Sequence, residues 1–275
     1  MSWRGERLGQ WRIGIIGLGH VGKITAEVLQ VRSLVTTYDI SNDDTYPYAD
    51  FHVCDFLVVC VNTPEDPETG AADLSEVEAA FSAMPPGVPV VLRSTVPPGT
   101  SMRLAADHDR EVIFWPEYVG ESRFVVDTMK QLDSNVFQIV GAVRSDATSK
   151  WVDLLAETYG PLVRIYQIEQ TEAEIVKYME NSYFAVKTIF VNEFRNLCEA
   201  LDADWQSVRE GWLLDPRIGR DHSDAFMSSP GYGGRCLPKD IAAVRHRAKE
   251  IGTEMPLLDA VSSINFRLRE LPRQD

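Results

Sequence analysis

The chain has 275 residues, 44% hydrophobic and 25% charged, enough to bury a sizeable core in one or two domains of ordinary globular composition. Its 27 Lys and Arg against 41 Asp and Glu leave a formal charge of −14, which argues against a phosphate-backbone binder, so no nucleic-acid partner is expected. No apolar stretch approaches membrane-spanning length and the first residues, Met1-Ser2-Trp3-Arg4-Gly5-Glu6-Arg7, lack the apolar region of a signal peptide. The four cysteines, Cys54, Cys60, Cys198 and Cys236, form no CxxC pair, so a reduced, cytoplasmic setting without membrane or metal is the expectation.

From Trp11 to about Ile165, short β-branched runs alternate with helical segments. The runs are Ile13–Ile16, Leu34–Tyr38, Phe56–Val61, Pro89–Leu92, Val112–Phe114, Val136–Val140 and Leu162–Ile165. They are almost continuously apolar, as strands covered on both faces should be, and the alternation predicts a doubly wound, mostly parallel α/β sheet of Rossmann type over residues 1–168. From 169 to 275 the pattern is helical only. Thr171-Glu172-Ala173-Glu174 reads as a capping box. Met179, Tyr183, Val186, Phe190, Phe194, Leu197 and Leu201 then recur in steps of three and four. They mark one amphipathic helix of ~30 residues and ~45 Å, longer than a small domain needs, and packing against a second subunit would account for it. Further helices are predicted at Trp205–Trp212, Pro238–Glu250 and Pro256–Leu271.

Ile13-Gly14-Ile15-Ile16-Gly17-Leu18-Gly19-His20-Val21-Gly22 is a strand running into Gly-x-Gly-x-x-Gly and then a helix. Gly17 permits the tight turn, Gly19 lets the backbone approach a pyrophosphate, and Gly22 allows close helix–strand packing. The pyrophosphate would rest on the helix N-terminus, where the unbonded N–H groups and the dipole favour an anion. Asp39 ends the next strand, where a carboxylate accepts ribose hydroxyls and repels a 2′-phosphate. No arginine occurs in Ile40-Ser41-Asn42-Asp43-Asp44, so NAD is expected over its phosphorylated form. Val61-Asn62-Thr63-Pro64 and Arg93-Ser94-Thr95-Val96-Pro97-Pro98-Gly99-Thr100 follow later strands, and either ordinary turn chemistry or a ligand loop accounts for them.

Lys177 and Asn181 lie four apart, off the apolar stripe, and read either as a solvated helix face or as groups that steady an oxyanion. Gly231-Tyr232-Gly233-Gly234-Arg235-Cys236-Leu237-Pro238-Lys239-Asp240 is more specific. Its glycines allow close approach of a ligand, and Pro238 suits a first helical turn. Cys236 just before that turn meets a dipole that favours the thiolate. Asp240 follows one turn on.

With these pieces in order, together with Trp115-Pro116-Glu117, Glu172-Ala173-Glu174-Ile175-Val176-Lys177-Tyr178, Asn192-Glu193-Phe194 and Asp215-Pro216-Arg217-Ile218-Gly219, the chain resembles the UDP-glucose/GDP-mannose dehydrogenase family from about Ile13 to Phe266. The resemblance implies NAD-dependent four-electron oxidation of a nucleotide-sugar C6 alcohol to the carboxylate. It makes Cys236 the residue that forms a thiohemiacetal and then a thioester, and Glu117 the carboxylate tied to its hydrolysis. Lys177 and Asn181 would stabilise oxyanions, and Asp240 with Thr95 would hold the catalytic water. Arg217 would reach a substrate on a neighbouring subunit, which implies a homodimer. By the same correspondence, Gly17, Gly19, His20, Val21, Gly22, Asp39, Val61, Thr63, Ser94 and Thr95 would bind the cofactor. Glu117, Lys177, Asn181, Arg217, Tyr232, Gly233 and Gly234 would line the substrate. The family's third α/β domain is expected to begin about where Gln274-Asp275 ends this sequence, and only 16 positions separate Asp39 from Asp55, where the family has a further helix and strand. Two other readings stand beside this one: a one-step β-hydroxyacid dehydrogenase, which needs Lys177 and Asn181 but not Cys236 or Glu117, and a non-catalytic NAD-binding or partner-docking protein.

Overall fold

The computed structural model of the chain describes residues 11–42, 45–118, 137–226 and 228–270. Seven strands form one sheet in the order β2-β1-β3-β4-β5-β6-β7. They are β1 (Trp11–Ile16), β2 (Ser33–Tyr38), β3 (Phe56–Val59), β4 (Val90–Leu92), β5 (Val112–Phe114), β6 (Phe137–Gly141) and β7 (Arg164–Ile168). Neighbours pair in parallel except β5 with β6, which meet antiparallel at Phe114 and Gly141. The strand order reverses at β1, between β2 and β3, and such a switch point is where open α/β sheets bind ligands.

Central strands β3, β4 and β5 are buried throughout, because helices cover both faces. Against one face lie α1 (His20–Leu29) and α5 (Asp146–Tyr159), with Ile24, Val28, Trp151 and Leu154 in the core. Against the other lie α2 (Tyr48–His52), α3 (Ser75–Ala83) and α4 (Thr100–Asp107), with Phe51, Val77, Phe81 and Leu104. Trp151 packs edge-on to Phe56 at 5.1 Å and to Trp115 at 5.2 Å, and truncating such a ring costs about 3–5 kcal/mol. The last strand departs from the sequence expectation. It starts at Arg164 rather than Leu162, because Gly160, at φ +87°, ends α5 and the turn that follows carries Leu162 outward at 75% exposure. As an edge strand β7 is only half covered, so it lacks the continuous apolar run of its neighbours.

The chain divides into two compact units: Met1–Pro64 with Ala72–Lys177, and Glu65–Ala71 with Tyr178–Asp275. The second unit holds most of α6 (Gln170–Ala200), then α7 (Trp205–Trp212), α8 (Leu237–Glu250) and α9 (Pro256–Glu270), around a core of Ala185, Ile189, Tyr232, Ile241, Leu258 and Val261. The excursion Glu65–Ala71 belongs to it through the Thr69 carbonyl, 3.1 Å from His246 Nδ1, and through Gly70 beside Ala242.

Two expectations about α6 change. The helix begins at Gln170, so the pair that closes its N-terminus lies two residues earlier, with the Glu169 amide donating to Glu172 at 3.0 Å. Glu174 is released for another task. The apolar stripe, moreover, faces outward: Met179 and Leu201 are each 70% exposed, and Tyr183, Phe190, Phe194 and Leu197 are exposed as well. The buried face mixes apolar residues outside that stripe, Tyr178, Ile189 and Val191, with small or polar ones such as Ala185, Thr188 and Asn192. Asn192 satisfies itself internally, donating to the Thr188 carbonyl and accepting the Gly231 amide. Periodicity registers the larger side chains, whereas burial follows which face has neighbours.

Candidate active site

In the first unit, the groups of interest gather at the carboxyl ends of β1 to β5. Gly17 sits at φ +91°, and a Cβ there would lie 2.7 Å from the Cys60 carbonyl. At Gly22 a Cβ would collide with the Gly17 carbonyl, so the turn and the entry to α1 require both glycines. A Cβ on Gly19 would meet nothing within 4 Å, which leaves the backbone open to an approaching ligand. Gly19 caps α1 without a side-chain hydrogen bond, and first-turn amides such as those of His20 and Val21 favour an anion at a helix N-terminus. Asp39 braces this loop: its carboxylate accepts the Leu18 amide at 2.5 Å and the Ser41 amide at 2.9 Å, with the Ser41 hydroxyl at 2.5 Å. The Ser41 hydroxyl and those amides hold the Asp39 carboxyl below its ordinary pKa of 3.8. A carboxylate kept ionised beside an uncapped helix fits a dinucleotide ribose.

The loops after β3 and β4 are tied together. Thr63 Oγ1 donates to the Thr95 carbonyl at 2.8 Å, and Ser94 Oγ donates to the Val61 carbonyl at 2.7 Å. These hydroxyls therefore shape the loops from within. Glu174, fully buried, caps α4: it accepts the Gly99 amide at 2.6 Å and the Ser101 amide at 2.8 Å. The α4 cap is thus supplied by another helix, and it anchors the Ser94–Gly99 loop that carries Thr95. One turn along α6, Lys177 is buried rather than solvated. Its Nζ donates to the Glu117 carbonyl at 2.7 Å, with a Glu117 carboxylate oxygen 3.5 Å away. Val119-Gly120-Glu121, which follow Tyr118, lie outside the described residues.

In the second unit, Cys236 occupies the N-cap of α8 with Pro238 in the first turn. The Asp240 amide donates to the Cys236 carbonyl at 3.0 Å. Asp240 is buried and held on both sides, by Asn181 Nδ2 at 2.5 Å and by Lys239 Nζ at 2.6 Å. Asn181 too is buried, so the solvated-face reading of Lys177 and Asn181 fails for both residues. The glycine turn before Cys236 is fixed by three donors and acceptors: Gly231 donates to Asn192, Tyr232 donates to Asn265 at 2.8 Å, and Arg269 donates to the Tyr232 carbonyl. Tyr232 buries its ring in the helical core, while Gly234 is exposed. Arg217 is exposed and folds back on Asp215 at 2.6 Å, in a loop that Lys187 holds through the carbonyls of Ile218, Gly219 and Asp221.

Sequence reasoning left Lys239 without a role and gave Glu174 to the start of α6 instead of α4. Lys239 stood beside Asp240 in a singled-out block, so it left a signal; the partners of Glu174 left none, because they lie 75 and 73 positions away.

Two models of one family match the chain: the NAD binding domain of the UDP-glucose/GDP-mannose dehydrogenase family over residues 44–159, and its central domain over residues 171–267. The chain belongs to the UDP-glucose/GDP-mannose dehydrogenase family. Among this family's members, it is 32% identical over 227 residues to a UDP-glucose 6-dehydrogenase of Bacillus subtilis, covering 78% of this chain and 47% of that protein. A UDP-glucose 6-dehydrogenase of Rhizobium meliloti is 33% identical, covering 77% and 50%. The chain spans about half the length of the curated relatives it matches. The solved UDP-glucose dehydrogenase of Pyrobaculum islandicum superposes with a TM-score of 0.81 at 27% identity, over 97% of this chain and 70% of that one. A 3-hydroxyisobutyrate dehydrogenase of Mycobacterium tuberculosis shares the fold at TM-score 0.67 and 16% identity. The family's NAD binding model begins at residue 44, so the Gly17–Gly22 turn and Asp39 stand on their own geometry. Among the described residues no helix is long and apolar enough to cross a membrane.

Proposed function

We propose that the chain carries out the four-electron oxidation of a nucleotide-sugar C6 alcohol to the carboxylate, with UDP-glucose the first substrate to test. The observation that carries this reading is the cluster at the entry to α8. There Asp240 is buried and bound by Asn181 and Lys239, and its amide is hydrogen-bonded to the carbonyl of N-cap Cys236. A one-step alcohol dehydrogenase has no use for a thiol at a helix N-terminus.

NAD⁺, when bound, supplies the hydride acceptor for both oxidation stages. The carboxylate of Asp39 and the first-turn amides of α1 hold and orient it. Asp240 holds the water that takes the alcohol proton, with Thr95 on the loop after β4. The Cys236 thiolate, favoured by the α8 dipole, adds to the aldehyde carbon and enforces a tetrahedral centre from which the second hydride can leave. Lys177 and Asn181 stabilise the oxyanion at each stage, each worth a few kcal/mol of barrier. Glu117 takes a proton from the water that hydrolyses the thioester, the C–S bond breaks, and the sulfur regains its electron pair. The exposed stripe on α6 supports a homodimer, with Arg217 reaching the partner's substrate. The cysteine usage supports a cytoplasmic setting.

A panel of nucleotide sugars with NAD⁺, following NADH and acid together, tests the reading. Two NADH per acid, and loss of acid in Cys236→Ala with NAD⁺ affinity retained, are expected. One NADH per substrate with Cys236 dispensable would instead establish the β-hydroxyacid dehydrogenase reading, and NAD⁺ binding without reduction would establish a binding protein.

A further inference from the structure

Arg93 follows β4, and its guanidinium is buried at 1% exposure. Nη1 donates to the Trp115 carbonyl at 3.4 Å, and the guanidinium carbon lies 3.6 Å above the Trp115 ring. Among the described residues, Nε and Nη2, the edge that receives an oxyanion side-on, have no hydrogen-bond partner. A buried cation with two orphaned donors is destabilising, and an apolar side chain of similar length would serve the core better. Burial pushes the guanidinium pKa down, while Tyr159, Cys60, Glu117 and Tyr118 favour its charged form. The cation thus sits where packing does not ask for it, within the field of Glu117.

Two cations grip the segment that leaves β5: Arg93 on the carbonyl of Trp115, and Lys177 on the carbonyl of Glu117. Pro116 between them has a fixed φ, so the two grips define the direction in which the Glu117 side chain departs. We propose that Arg93 is a positioning residue for Glu117, retained to aim that carboxylate at the hydrolytic water and not to stabilise the fold. The inference rests on the reading above, in which Glu117 takes the proton of the water that attacks the Cys236 thioester.

The test compares Arg93→Met, Arg93→Lys and Glu117→Gln, mixed with NAD⁺ and UDP-glucose and followed by intact-mass spectrometry of the protein. Arg93→Met is expected to melt at the same or a higher temperature than the parent, since its orphaned donors are gone. It should bind NAD⁺ normally and release its first NADH at the parental rate, yet hold the acyl adduct on Cys236 about tenfold longer, a loss typical of a misaimed group. Arg93→Lys should restore part of the lifetime, and Glu117→Gln should accumulate the adduct outright. An adduct in Glu117→Gln with a parental lifetime in Arg93→Met overturns the Arg93 role alone. So does a lowered melting temperature with first and second stages slowed alike, which is the mark of a structural residue. Absence of any adduct in Glu117→Gln overturns the parent reading, and this inference with it.

Discussion

Asn181 Nδ2 donates to Asp240 Oδ2 at 2.5 Å, linking helix α6 to the first turn of α8 one residue after the lysine that holds the other oxygen. Removing the carboxylate takes an acceptor from both residues. The Lys239 side chain is a quarter exposed and recovers water, so Asp240→Ala should cost only about 1–3 kcal/mol in urea denaturation. In the proposed reaction Asp240→Asn keeps the shape but not the proton acceptor, and kcat should fall about a hundredfold with NAD⁺ affinity unchanged. A kcat near the parental value would remove Asp240 from the chemistry.

Glu174 satisfies two buried amides at the start of α4, those of Gly99 and Ser101. Glu174→Ala leaves both without an acceptor and should destabilise the first unit by about 2–4 kcal/mol, whereas Glu174→Gln keeps one acceptor and should lose about half as much. Hydrogen exchange localises the effect: the α4 amides should lose protection while those of α1 do not. Equal loss across both helices would mean the cap is not what Glu174 supplies.

The Ser41 hydroxyl is the largest influence holding the Asp39 carboxyl below its ordinary pKa. A carboxylate depressed in the folded state adds stability above about pH 4, the ordinary range of the group, and that stability is lost as pH falls through the folded value. Ser41→Ala should therefore raise the Asp39 pKa toward 3.8. The stability difference from the parent should be present at pH 6 and shrink as pH falls below 3.8, as followed by NMR titration of the Asp39 carboxyl carbon and by denaturation at each pH. Asp39→Ala should weaken NAD⁺ binding by about 1–3 kcal/mol in calorimetry, and undiminished affinity would place the ribose elsewhere.

The outward stripe of α6 presents Phe190 and Phe194, whose rings lie 4.7 Å apart, with Phe190 also 5.9 Å from Trp212. An apolar row of this length on a helix is the kind of surface that a second copy covers. Phe190→Glu with Phe194→Glu should convert a sedimenting dimer to a monomer while leaving helical circular dichroism intact. A parent chain that sediments as a monomer at micromolar concentration would end the homodimer proposal.

Local chemistry, written in neighbouring residues, made much of this protein legible beforehand. The alternation of apolar runs and helices determined the sheet. The Gly17–Gly22 spacing determined the turn at β1, and Pro238 after a glycine-rich stretch determined that Cys236 would stand at a helix entry. Each of these follows from backbone sterics or from an apolar period within a dozen residues. Distance along the chain hid the rest. Only the tertiary structure decided that Met179, Tyr183, Phe190, Phe194, Leu197 and Leu201 on α6 face out while Lys177 and Asn181 are buried. It alone gave Glu174 to α4, paired Asp240 with Asn181, and left Arg93 buried with two of its three guanidinium nitrogens unpaired among the described residues. A side chain's burial and its partners are set by what other segments bring to it, and no local period encodes which segments those will be.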